Sequence, residues 1–207
     1  MKVLIADKFE KSGIDALKDM GCDVINEPGA TPETLGDLLA SHAPEVLVVR
    51  STKVKKPAIE KAESVKLIVR AGAGVDNIDL DAATSKGIAV CNCPGMNADA
   101  VAELTMGLLL ALDRRIVDQT QELRGGKWNK KEYGKARGLK GRTLGIVGVG
   151  SIGAGVVKRA RAFGMPVIAW SRSLSPEKAL DLQARYGGND RAGLLNMLKD
   201  CDAVSVH

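Results

Sequence analysis

Apolar residues fall in short, mainly apolar runs at 3–6, 22–25, 46–49, 67–69 and 88–91. Between these runs they recur every three or four positions. Short continuous runs suit strands buried on both faces, and the three-to-four spacing suits helices with one buried side. Ile14, Leu17 and Met20 mark the first helix, which Gly21 closes as a C-terminal cap. Thr31-Pro32-Glu33 reads as a helix start, and Leu35, Leu38 and Leu39 form its buried stripe. Residues 57–63 and 81–86 predict two more short helices, the second ending at Gly87. Strands alternating with helices imply a parallel sheet with right-handed crossovers. Residues 1–95 therefore read as one α/β unit.

A strong helix over 97–112 follows, with Val101, Leu104, Leu108 and Leu112 at helical spacing. A second series opens at Thr143, so residues 96–207 read as a second unit. Its first strand is 144–147. The helix after it places Val156, Val157, Ala160 and Phe163 on a buried face and ends at Gly164. The next strand is 167–170.

Composition sharpens this picture in three ways. Aromatics make up only 3% of the chain, so the cores must be aliphatic. The net charge of +5 is concentrated in residues 124–142, which hold eight Lys/Arg and one acid. A nucleic-acid binder would spread such charge along a face and add stacking aromatics. The stretch reads instead as a solvated connector, with an interaction segment as the alternative. Cys22, Cys91, Cys93 and Cys201 have no zinc spacing and read as reduced, cytoplasmic thiols. The start of the chain reads as a strand rather than a signal segment. The longest apolar run, 106–112, is too short to span a bilayer. No residue cluster suggests a metal or acyl transfer.

The chemistry concentrates where strand 144–147 runs into Gly148-Val149-Gly150-Ser151-Ile152-Gly153 and then a helix. Strand, glycine turn, helix and strand within about 30 residues is the context that gives GxGxxG its meaning. Gly148 permits the tight turn, Gly150 lets a pyrophosphate approach the backbone, and Gly153 lets helix and strand pack closely. The helix N-terminus, with Ser151 and Ile152, offers N–H groups and a partial positive charge to phosphates. The second strand ends in Ser171-Arg172, where an NAD site usually carries an acid for the ribose 2′-hydroxyl. Losing that carboxylate removes repulsion against a 2′-phosphate, and Arg172 could pair with one. Ser171 could equally serve the hydroxyl of NAD, so NAD and NADP both remain open.

Four ordered stretches, VVRSTKV (48–54), VRAGAGVDNIDL (69–80), VCNCPGMNADAVAELTMGLLLAL (90–112) and LKGRTLGIVGVGSIG (139–153), resemble the D-isomer-specific 2-hydroxyacid dehydrogenases. The resemblance implies a flavodoxin-like substrate domain (1–95) followed by a Rossmann NAD(P)-binding domain (96–207), incomplete in this chain, with the active site in the cleft between them. It implies hydride transfer between a D-2-hydroxy acid and NAD(P), with D-3-phosphoglycerate the expected substrate. Glyoxylate or hydroxypyruvate reduction is the alternative. A non-catalytic, corepressor-like dinucleotide binder and an inactive fragment are further ones. It places Arg50, Ser51 and the loop Arg70-Ala71-Gly72-Ala73-Gly74 against substrate, and Ala73 and His207 near the cofactor. Arg50 follows a parallel strand, where open α/β sheets bind ligands, and its guanidinium suits a carboxylate or phosphate. A surface ion pair is the other use for it. The loop at 70–74 is expected to expose backbone N–H groups. The family's catalytic Arg, Glu and His are expected beyond His207. A homodimer, formed through the second domain and the helix entering it, is also implied. Poor solubility is expected for a sheet ending at an unpaired edge.

Overall fold

The computed structural model describes residues 1–207, which divide into two compact units, Met1–Met96 and Asn97–His207. In the first unit the elements run β1 (Lys2–Ile5), α1 (Lys11–Asp19), β2 (Asp23–Asn26), α2 (Leu35–His42), β3 (Val46–Val49), α3 (Lys56–Glu60), β4 (Leu67–Arg70), α4 (Leu80–Ser85) and β5 (Ala89–Cys91). All pairings are parallel, in the order β2-β1-β3-β4-β5. This is the flavodoxin-like order, which reverses direction between β1 and β3. The continuous apolar run at β3 is buried at every position, as a central parallel strand should be. One cluster, with Leu4, Leu35, Leu47 and Ile68, packs under α2, α3 and α4. A second, with Val3, Ile5, Val46 and Val48, receives Ile14 and Leu17 of α1.

The second unit opens with α5 (Ala98–Arg114), α6 (Ile116–Arg124) and α7 (Lys130–Tyr133). It continues with β6 (Leu144–Val147), α8 (Ser151–Ala162), β7 (Val167–Trp170), α9 (Pro176–Asp181), β8 (Arg185–Tyr186), α10 (Arg191–Lys199) and β9 (Ala203–Val206). The parallel order β8-β7-β6-β9 corresponds to the Rossmann order 3-2-1-4, with its reversal between β6 and β9. β9 is an edge strand, and its Val204 and Val206 are exposed. No helix is long and apolar enough to cross a membrane.

Several local expectations change. The helix expected from Thr31 begins only at Leu35. Thr31 and Thr34 instead bond each other's backbone in a preceding turn, the local competition that hydroxyl side chains offer. Met20 and Phe163 cap their helices and are exposed rather than core. The connector between the units' sheets is folded: α6 and α7 occupy it. Two of the eight cations at 124–142 meet acids from elsewhere, Arg142 on Asp113 and Arg137 on Asp202, while seven of the eight remain exposed, as a solvated connector should. The largest change is on α5. Leu104 (61% exposed), Leu108 (56%) and Leu112 (75%) face outward, while Ala102 and Met106 are buried against α8.

Candidate functional site

In the second unit the chemistry-bearing residues gather at the C-terminal ends of β6, β7 and β9. The Gly148 N–H donates to the carbonyl of Trp170 (2.8 Å), and His207 N–H donates to that of Val147 (2.9 Å). These bonds lock the turn to both neighbouring strands. Gly148 has φ +93°, a conformation that favours glycine, and a Cβ there would strike the His207 carbonyl oxygen. A Cβ at Gly153 would strike the Gly148 carbonyl oxygen. A Cβ at Gly150 would meet nothing within 4 Å. Two of the glycines are thus demanded by the protein's own packing, while the third leaves open space over the start of α8.

Gly150 is the N-cap of that helix and supplies no side-chain cap. The first N–H groups of α8, at Ser151 and Ile152, therefore lack an intrahelical partner. With the helix dipole they suit a phosphate, so the residues present fit a dinucleotide. Ser171 and Arg172 follow β7 in a turn closed by Leu174 N–H donating to the Ser171 carbonyl (3.0 Å). Arg172 is exposed and enters no ion pair. His207 Nε2 lies 2.9 Å from Ser205 Oγ, and partial burial lowers its pKa below 6.5. His207 thus stands beside Gly148 at the point where the strand order reverses.

In the first unit Arg50 and Ser51 follow β3, and Arg70 closes the adjacent β4. The register pairs Val49 with Arg70, so the two arginines occupy neighbouring strand ends. The Arg70 Nε donates to the Arg50 carbonyl (3.1 Å). Neither guanidinium pairs with a carboxylate, so Arg50 does not act as a surface ion pair within the chain. The loop at 70–74 is less open than expected. Ala71 N–H donates to Val49 (2.7 Å) and Gly72 N–H to Arg70 (2.8 Å), which leaves only Ala73 and Gly74 with free N–H groups. Asn92 Nδ2 donates to the Ala73 carbonyl (2.6 Å), and Cys93 N–H donates to that of Gly72 (2.9 Å), anchoring the loop from β5's end.

Asp7, at the end of β1, was not singled out by sequence. A lone acid after a strand carries no signal without the topology that places it beside β3. His42 lies at the other end of the sheet, its carbonyl accepting from Lys2 Nζ (3.1 Å). Glu27 Oε1 comes within 3.8 Å of its ring.

Residues 3–186 match the family model described as "D-isomer specific 2-hydroxyacid dehydrogenase, catalytic domain". The chain is 47% identical over its whole length to D-3-phosphoglycerate dehydrogenase of Methanocaldococcus jannaschii, spanning 38% of that protein. Over 79% of its length it is 48% identical to hydroxypyruvate reductase of Thermotoga maritima, spanning 51% of that one. Among solved structures it resembles the NAD+-bound 3-phosphoglycerate dehydrogenase of Entamoeba histolytica, with TM-score 0.76 and 28% identity, covering all of this chain and 62% of the other. The chain thus spans between about a third and two thirds of the length of these relatives.

Proposed function

The chain belongs to the D-isomer-specific 2-hydroxyacid dehydrogenase family, and on that premise we propose that it supplies the substrate-binding and cofactor-binding framework of an NAD(P)-dependent dehydrogenase acting on D-3-phosphoglycerate. The observation that carries this reading is the open space above Gly150 at the uncapped start of α8. Two of the motif's glycines are needed to build the turn. Gly150 is not, and its lack of a side chain is useful only to something that approaches from outside.

In this reading the second unit binds the dinucleotide. Gly148, Gly150, Ser151, Ile152 and Gly153 cradle the pyrophosphate, and Ser171 and Arg172 meet the adenosine ribose. The first unit binds the hydroxy acid. Arg50, Ser51 and Arg70 offer cations and a hydroxyl to its anionic groups, and the free N–H groups of Ala73 and Gly74 add donors. Bound NAD(P) would supply the hydride acceptor. These residues orient and neutralise the anion; none of them is assigned the proton transfer that alcohol oxidation also needs. The exposed leucines of α5 support a homodimer as the working form, by offering a surface to a second copy.

Reduction of hydroxypyruvate or glyoxylate is the second reading. Ser171-Arg172 favours it, because a cation without a neighbouring acid suits the 2′-phosphate of NADPH. Fluorescence titration of the chain with NADH and with NADPH tests both. The phosphoglycerate reading expects saturable binding of at least one cofactor and turnover of D-3-phosphoglycerate by the intact protein that carries this sequence. Tight NADPH binding, reduced at least tenfold by Arg172→Ala, together with turnover of hydroxypyruvate alone, would select the second reading. Failure to bind either cofactor would remove both.

A further inference from the structure

Beyond the residues that face ligand, the β1/β3 reversal of the first sheet is already filled. Asp7 Oδ2 accepts three consecutive backbone N–H groups, from Arg50 (2.7 Å), Ser51 (3.1 Å) and Thr52 (3.2 Å). Successive N–H groups converging on one point form a nest that attracts an anion. Here the anion is the protein's own carboxylate. Thr52 Oγ1 donates to the Ala6 carbonyl (3.0 Å), and Asn77 Nδ2 donates to the Thr52 carbonyl (2.9 Å), closing the same joint from two more sides. The backbone fixed in this way carries Arg50, and the Arg50 carbonyl in turn holds the Nε of Arg70 (3.1 Å).

We infer that Asp7 is a positioning residue for the anion site. Its carboxylate occupies the backbone nest at 50–52, so that an incoming carboxylate or phosphate is met by the Arg50 and Arg70 guanidinium groups rather than by that nest. The inference rests on the substrate reading above. Without Asp7 the three N–H groups lose their common acceptor, and the loop no longer presents Arg50 in one geometry. The nest itself becomes a competing seat for small anions. Asp7 contacts no ligand and supplies geometry alone.

The test follows the Arg50 and Arg70 Nε–H resonances of the isotope-labelled chain during titration with 3-phospho-D-glycerate. Asp7→Ala should weaken the binding about tenfold, the scale of one lost charge-assisted contact. Asp7→Asn, which keeps an acceptor oxygen for the N–H groups, should recover most of the affinity. Formate should tighten binding in Asp7→Ala, by refilling the nest, and should give no such gain in the unsubstituted chain. A purely structural role would show instead as a lower melting temperature with no formate response. Equal affinity in all three chains overturns the positioning role while leaving the substrate reading intact. Absence of any shift at Arg50 and Arg70 in the unsubstituted chain sinks the substrate reading, and this inference with it. NADH titration of the same samples should be unchanged by Asp7→Ala; a parallel loss there would mean general unfolding and would also overturn the inference.

Discussion

Gly148, Gly150 and Gly153 answer to different constraints, so alanine at each should fail differently. Gly153→Ala drives a methyl group into the Gly148 carbonyl, a backbone atom that cannot step aside, and should cost about 3 kcal/mol by the scale of overpacked cores. Gly150→Ala meets nothing and should leave the melting temperature unchanged, yet abolish NADH binding, because the methyl occupies the approach of the pyrophosphate. Thermal melts beside fluorescence titrations separate the two, and a Gly150→Ala chain that binds normally would sink the cofactor assignment. His207 gives the pH counterpart. Burial lowers its pKa below 6.5, so near pH 6 the unfolded chain binds more protons than the folded one. Stability should therefore fall as pH drops through and below 6.5 and level off above it. His207→Gln should flatten that part of the curve in denaturant melts at graded pH. The glycine motif was legible in the sequence because its spacing and its strand–turn–helix context are local. Asp7 was not, because its three partners lie more than forty residues away along the chain.

Among the elements, α5 shows where periodicity stops deciding. Apolar residues nearly surround this helix, and the three-to-four spacing pointed to the face of Leu104, Leu108 and Leu112 while passing over that of Ala102 and Met106. Packing chose the second, where small Ala102 lets α8 come close at Gly155. A helix that is apolar all round is ordinarily covered all round. The outward leucines of α5 therefore make the proposed self-association surface. Leu108→Glu should convert a dimer to a monomer in sedimentation velocity without lowering the melting temperature of the unit. A monomer before substitution, or a dimer after it, would refute that surface. β3, β6 and β7 were legible to the residue, since short runs free of polar side chains between turns admit few alternatives. α6 and α7 were not. Their sequence is charged and has little apolar stripe, and they hold through Arg115, which bonds Asp118 (3.0 Å) and Glu132 (3.1 Å) and stacks 4.9 Å from the Tyr133 ring.

At the scale of the whole molecule, every buried cluster lies wholly within one unit, so each has its own cooperative source of stability. The joint that orders the second unit is Asp113, whose side chain is only 6% exposed. One of its oxygens accepts from Arg142 Nη1 (2.9 Å) and the other from Gly138 N–H (2.9 Å). The pair ties the end of α5 to the segment that leads into β6, and so fixes the entry to the glycine turn. Breaking a buried ion pair leaves its other charge uncompensated, and Arg142 already has an unbonded buried Nε. Because Arg142 keeps some access to water, Asp113→Ala should cost about 2 kcal/mol, below the full penalty for a wholly buried pair. The loss should be confined to one unit. Hydrogen exchange read by mass spectrometry should accelerate in Leu144–Val147 and leave Val46–Val49 protected as before. Equal acceleration in both strands would show that the two cores open as one cooperative body, whereas no change in β6 would show that the Asp113 joint does not govern the stability of the sheet that carries the glycine turn.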